Sequence, residues 1–126
     1  MAKTKAKIRW LDDSEPHDYP AAFSYLCLIY PPRRAKQIVS RLKSAGLSEF
    51  KSKDISRASG LPLLGVSNSH VEHDRERIKS GGSLSPILLV RDAGRGKVII
   101  ADGYHRLCAI YSFDEDAVIR CKICDG

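Results

Sequence analysis

The sequence predicts an α+β fold, in which a small mixed sheet is flanked by helices and preceded by a helical N-terminal segment. Its 126 residues are 43% hydrophobic and 29% charged, which suits one globular domain and excludes disordered and fibrous chains. Apolar residues recur at helical spacing before residue 46, whereas short apolar runs beside glycine turns follow residue 83. Separate helical and strand regions of this kind are typical of α+β proteins.

The first part of the chain predicts two helices after a basic tail and a short strand over residues 7–11. The first helix covers residues 19–30 and ends at a proline pair, because proline disfavours helix in the residue before it. The second covers residues 33–45, with apolar side chains on one face and Gly46 as its C-terminal stop. We expect residues 1–47 to form an extension packed on a domain of residues 48–126.

The remaining elements mix strand and helix patterns. Ser69 and Glu72 have the spacing of a capping box, which predicts a helix start. Two apolar runs joined by a glycine-containing turn predict a hairpin. The predicted elements are a strand at residues 48–52, helices at 53–59 and 69–78, an extended apolar segment at 61–66, strands at 86–91 and 98–101, a helix at 103–112 and a strand at 118–123.

Charge is unevenly distributed along the chain. The formal net charge is +6, and residues 33–60, with eight basic and two acidic residues, carry all of the excess. A localised excess predicts a basic face, and phosphate contacts by such a face would bind nucleic acid with a strong dependence on salt. The alternative is the solvated side of an amphipathic helix, which has no aromatic residue to stack on bases. The candidate nucleic-acid residues are Arg33, Arg34, Lys36, Arg41 and Lys43.

The four cysteines predict a structural role. Cys121 and Cys124 form a CxxC pair, but residues three apart on a strand point to opposite faces, which is poor geometry for chelation. Cys27 and Cys108 fall on predicted helices without a neighbouring Cys or His ligand. A zinc or redox role is the alternative. The N-terminal residues contain no apolar stretch typical of a secretory signal, so we expect a cytoplasmic protein without disulfides and without a membrane span.

The junction between an apolar strand and a helix at Asp102-Gly103 is the most informative segment for function. The free N–H groups and the dipole of a helix start attract anions, and glycine lets the backbone approach a ligand closely. His105 and Arg106 add donors to the same turn, and Asp102 is a candidate metal ligand and catalytic group, with His105 as the second catalytic candidate. The alternative is that Asp102 only caps the helix.

A second cluster lies on the predicted helix at residues 69–78. His70, His73 and Arg77 are spaced i, i+3, i+7 and so share one face, where they could bind an anion. Metal chelation by His-x-x-His is one alternative and a solvated polar face is the other.

Residues 48–123 resemble the ParB/sulfiredoxin superfamily, and the closest likeness is to small bacterial ParB-like proteins. The resemblance rests on the order of a helix at residues 69–78, a Leu84-Ser85-Pro86-Ile87-Leu88-Leu89-Val90 strand, a glycine turn, Asp102-Gly103-Tyr104-His105-Arg106, and a strand ending Cys121-Lys122-Ile123. It implies binding of ATP or CTP with magnesium. By position, the nucleotide-binding residues would be His70, His73, Arg77, Gly103, Tyr104, His105 and Arg106.

The chain also departs from the patterns of this superfamily. Sulfiredoxins have a nucleophilic cysteine where this chain has Tyr104, so sulfiredoxin activity is not expected. ParB proteins, which bind CTP, have Glu-Arg where this chain has Tyr104 and His105. Free serine kinases have a similar junction, which implies phosphoryl transfer, and Glu72 and Asp74 are candidates for their catalytic carboxylate. We therefore expect a nucleotide-binding protein, with nucleotide hydrolysis or phosphoryl transfer as its reaction. The alternatives are a nucleic-acid-binding accessory protein and a protein that only packs against a partner.

Overall fold

A computed structural model describes residues 7–126, and the predicted basic tail at residues 1–6 lies outside this range. The described chain contains five helices and six strands, which confirms the predicted α+β class with a mixed sheet. In chain order they are β1 (Arg9–Trp10), α1 (Asp18–Leu26), α2 (Pro32–Ser44), β2 (Ser48–Lys51), α3 (Ser52–Ser59), α4 (Ser69–Lys79), β3 (Ser83–Leu84), β4 (Ile87–Asp92), β5 (Lys97–Asp102), α5 (Tyr104–Phe113) and β6 (Val118–Asp125).

The main sheet has the strand order β2-β6-β4-β5, and β1 pairs with β3 in a separate two-stranded parallel sheet. β4 runs parallel to β6 and antiparallel to β5, and β2 is antiparallel to β6. Helices cover both faces of the main sheet, so successive residues of β4 enter different cores. Leu88 and Val90 pack in the core with α1 and α2, whereas Ile87 and Leu89 pack in the core with α3, α4 and α5. Burial on both faces explains the continuous apolar run of β4.

Helices α1 and α2 therefore close one side of the sheet. Leu26 of α1 and Leu42 of α2 are fully buried in the same cluster as Leu88. The division of the chain at residue 47 stays a prediction, but this packing makes the N-terminal helices part of the core. No helix among the described residues is both long enough and apolar enough to span a membrane, and the compartment stays a prediction.

Several predicted helix boundaries are wrong. α1 ends at Leu26, and residues 27–29 form turns before the proline pair. α2 ends because Ala45 is extended, with ψ at 143°, so Gly46 does not provide a left-handed stop. Gly60 does provide one after α3, with φ at 67°.

The capping box predicted at Ser69 is also wrong. The N-cap of α4 is Asn68, whose Oδ1 accepts hydrogen bonds from the N–H groups of His70 (3.0 Å) and Val71 (3.2 Å). The extended segment at residues 61–66 has no regular structure. β3, which pairs with β1, was not predicted, because a two-residue strand is too short to have a recognisable hydrophobic pattern.

Candidate functional site

The candidate site begins where β5 ends and α5 starts. Gly103 is the N-cap of α5, with φ at 107°, a left-handed conformation that favours glycine. A Cβ atom at this position would overlap Cγ2 of Ile87 and lie 2.9 Å from Nη2 of Arg106. Asp102 is the last residue of β5 and makes no capping hydrogen bond to α5, so the capping alternative for Asp102 is wrong. This junction leaves the first turn of α5 open toward a pocket.

The pocket has a volume of about 290 Å³ and is bordered by the start of α5, by α4 and by the segment that enters α1. Its charged lining combines four carboxylates with two guanidinium groups and two imidazoles. The lining residues are Glu15, His17, Asp18, Ala21, Asp74, Arg77, Leu84, Ser85, Asp102, Gly103, His105 and Arg106. Six of these residues were predicted from the sequence as site candidates: Asp74, Arg77, Asp102, Gly103, His105 and Arg106.

Arg106 anchors one wall of the pocket through contacts within the protein. Its Nη2 donates to Oδ2 of Asp102 at 2.7 Å, and its Nη1 donates to the carbonyl oxygen of Ser85 at 3.0 Å. Oδ2 of Asp18 lies 3.6 Å from the same Nη1. These partners hold the guanidinium in place and make Arg106 a positioning residue. Direct contact between Arg106 and a phosphate stays a prediction.

Asp18 is a central residue of the site that the sequence analysis missed. Its carboxylate is buried and accepts hydrogen bonds from the hydroxyl of Ser85 and, at 3.0 Å, from the N–H of Glu15. It also lies close enough to the carboxyl of Asp102 to raise the pKa of that group. Acidic residues are common in the first turn of a helix, where they interact favourably with the helix dipole. The sequence around Asp18 therefore gave no sign that its carboxylate is buried beside Asp102.

Two carboxyl groups of the pocket, those of Asp102 and Asp74, have raised pKa values. Burial and the neighbouring carboxylate of Asp18 raise the pKa of Asp102 to about 6, against the opposing charge of Arg106. Burial likewise raises the pKa of Asp74, although nearby Arg106 and Arg77 oppose the shift. The two carboxyl groups lie on different elements, so tertiary packing alone creates this environment.

The predicted histidine cluster is only partly assembled at the pocket. Arg77 lines it, and His70 contacts the ring of His105 with 4.8 Å between ring centroids. Burial and the neighbouring His70 lower the pKa of His105, so this imidazole is largely neutral at pH 7. His73 is exposed and does not line the pocket, although its charge acts on Asp74. The hydroxyl of Tyr104 donates to the carbonyl oxygen of Pro62, and this side chain also lies outside the pocket lining.

The oxygen groups in the pocket fit the magnesium ion that the resemblance implies. Carboxylates are the ligands that Mg²⁺ prefers, and a cation would relieve the repulsion between Asp18 and Asp102. Glu15 and His17 extend the set: Nε2 of His17 lies 3.1 Å from Oε2 of Glu15 and 3.4 Å from Oδ1 of Asp18. Among the other predicted carboxylates, Glu72 lies 3.6 Å from Nε of Arg75 and does not line the pocket.

The two thiols of the CxxC pair lie on opposite faces of β6, as predicted. Cys121 is fully buried in the core with α3 to α5 and its Sγ lies 3.6 Å from the carbonyl oxygen of Ser48. Cys124 packs on the other face, with Sγ 3.7 Å from the carbonyl oxygen of Ile38. All four cysteines are free thiols. The pair is therefore unsuited to chelating one metal ion.

The five basic residues proposed for nucleic-acid binding are all exposed on α2. Helical periodicity divides them among three sides of the helix. Lys36 and Lys43 border a groove beside α1, whereas Arg34 and Arg41 lie on the opposite flank and Arg33 points between the two sets. Nucleic-acid binding by these residues stays a prediction.

Comparison with known proteins provides no relative for this chain: no family model, no curated protein and no solved structure matches it. The resemblance to the ParB/sulfiredoxin superfamily stays a prediction, and the argument for function rests on the pocket.

Proposed function

We propose that this protein binds the phosphates of ATP or CTP with magnesium in the pocket at the start of α5, and hydrolyses or transfers the terminal phosphoryl group. The observation that carries the proposal is the meeting of two kinds of group in one pocket. A glycine-led helix start with Arg77 and His105 can hold phosphate oxygens, and beside it lie the half-buried carboxyl groups of Asp102 and Asp74.

Phosphate oxygens would lie at the first turn of α5. The first N–H groups of a helix point along its axis toward its N-terminal end, where Gly103 lines the pocket, and the helix dipole adds a partial positive charge. Arg77 supplies a full positive charge from α4, and neutral His105 supplies a hydrogen bond without adding charge. Glycine at position 103 allows this helix start to pack against the sheet, because any side chain there would overlap Ile87.

The acidic side of the pocket supports a magnesium-bound nucleotide. Four carboxylates against two arginines would repel a free triphosphate, whereas Asp18 and Glu15 could hold a cation that offsets its charge. When bound, the ion would neutralise charge on the phosphate oxygens. Arg106 would keep Asp18 in place for this contact.

Asp102 is the proposed general base. With a pKa of about 6 it is mostly ionised at pH 7, yet basic enough to accept a proton from an attacking water or hydroxyl group. The attacking oxygen then bonds to the terminal phosphorus while the bond to the bridging oxygen breaks, and the nucleoside diphosphate leaves. His105 could hydrogen-bond the same phosphoryl group.

Titration calorimetry with Mg-ATP and with Mg-CTP tests the proposal. We expect Arg77→Ala to weaken binding about 10–100-fold, since it removes a charge-assisted contact to phosphate. Lys79→Ala is the matched control, because Lys79 is a basic residue of the same helix that pairs with Glu76 outside the pocket. Asp102→Asn should abolish release or transfer of phosphate. Absence of binding for both nucleotides at millimolar concentration, or equal loss in the two α4 variants, contradicts the proposal.

A further inference from the structure

A groove runs between α1 and α2 on the side of the molecule formed by the N-terminal helices. It has a volume of about 560 Å³, larger than the nucleotide pocket. We call it the α1–α2 groove, and its lining residues are Tyr19, Pro20, Phe23, Lys36, Val39, Ser40 and Lys43. None of these residues lines the nucleotide pocket, so the groove is a separate surface.

The floor of the groove is apolar and firmly held. Tyr19 and Val39 are each 8% exposed and belong to the core beneath. The hydroxyl of Tyr19 accepts a hydrogen bond from the buried Nζ of Lys122 at 3.0 Å and donates one to Oδ1 of Asp13 at 3.0 Å. Pro20 and the half-buried Phe23 continue the apolar surface along α1. A fixed apolar floor between two helices is the form of surface that receives an amphipathic helix.

The α2 wall of the groove is basic. Lys36, Ser40 and Lys43 are spaced i, i+4, i+7, so they form one row along the groove. α2 contains no acidic residue, and no ion pair involves Lys36 or Lys43 within residues 7–126. Nζ of Lys43 lies 5.7 Å from the centre of the Tyr19 ring, so this positive charge lies directly over the apolar floor. The positive charge of this wall favours an anionic occupant of the groove.

Two other occupants fit this groove less well. A second copy of the chain would bring the basic α2 helices of both copies together, and like charges repel. Nucleic acid would find Phe23 as the one half-buried aromatic ring to stack on among the residues that line the groove. A helix with a row of acidic side chains beside a row of apolar side chains would complement both the basic wall and the apolar floor.

We propose that the α1–α2 groove docks an acidic amphipathic helix of a partner protein. Apolar side chains of the partner lie on Tyr19, Phe23 and Val39, and its carboxylates face Lys36 and Lys43. This site is independent of the nucleotide pocket, so its test does not depend on nucleotide binding.

Selection from a phage-displayed library of random 16-residue peptides against the full chain tests this proposal. We expect the selected peptides to be acidic, with apolar residues at i, i+3 or i+4, and i+7. The affinity of a selected peptide for Lys36→Glu/Lys43→Glu should fall about tenfold or more, because two attractive contacts become repulsive. Phe23→Ala should lower it by a similar factor through loss of an apolar anchor.

Arg34→Glu/Arg41→Glu is the matched control, since it makes the same charge change on the other flank of α2. It should weaken binding less than about threefold, through long-range electrostatics alone. All these residues except Phe23 are exposed, and circular dichroism verifies that each variant folds. Peptides without the acidic amphipathic pattern, or equal losses in the two charge variants, would overturn the proposal. Tighter binding of a 20-nucleotide single strand that both charge variants weaken equally would instead assign this side of the molecule to nucleic acid.

Discussion

Replacing Asp102 by asparagine should make the stability of the protein less dependent on pH. The carboxyl group has a pKa of 3.8 in a model compound and about 6 in the folded protein, where burial and Asp18 disfavour its charge. Between these pH values the folded state binds more protons than the unfolded state. Because the unfolded state then binds fewer protons, the free energy of unfolding contributed by this group falls as pH rises.

The size of the effect follows from the shift. One pKa unit corresponds to 1.36 kcal/mol, so the stability lost between pH 4 and pH 7 amounts to at most about 3 kcal/mol. The asparagine variant keeps the shape of the side chain but has no ionised form, and so this loss is absent. Relative to the wild type, the variant should therefore gain up to about 3 kcal/mol as pH rises from 4 to 7.5.

Urea denaturation of both proteins at pH 4, 5, 6 and 7.5 measures this difference, because the contributions of other titratable groups largely cancel. Asp125→Asn, at an exposed carboxylate 3.3 Å from Arg91, controls for loss of an acidic residue at the surface. A difference between wild type and Asp102→Asn that stays constant across this range would refute the description of Asp102 as a buried carboxyl beside Asp18.

Three further changes test other parts of the structure. Gly103→Ala should cost about 3 kcal/mol through overlap and left-handed strain, whereas Gly81→Ala, also at positive φ but in open space, should cost only about 1–2 kcal/mol by urea denaturation. Asn68→Ala should cost about 1 kcal/mol and Ser69→Ala much less in the same assay, because Asn68 caps α4. A larger cost for Ser69→Ala than for Asn68→Ala would favour the capping box instead. Cys121 should resist iodoacetamide at pH 8 in the native protein and react in urea, as mass spectrometry can determine, since burial raises its pKa to about 12.

The order of elements was predictable because local patterns determine it. The continuous apolar run before residue 92 and the glycine turn that follows specify β4 and β5, and both form as predicted. The C-terminal ends of the helices were less predictable. α1 ends in a turn several residues before the proline pair, and α2 ends at an extended residue without a left-handed glycine. The pairing of β1 with β3 depends on residues more than 70 positions apart and has no local signal.

The sequence by itself determined the strand–glycine–helix junction at Gly103, because an apolar run followed by Asp-Gly and a helical pattern is a local signal. It also determined the excess of positive charge on α2. Only the tertiary structure decided that Asp18 lies buried beside Asp102 and Arg106, and that α1 turns the basic side of α2 into the wall of an apolar groove. Both depend on where α1 packs. Long-range packing determines which charged groups share a site of low dielectric constant, and such a site shifts their pKa values. The spacing of residues along the sequence does not contain this information.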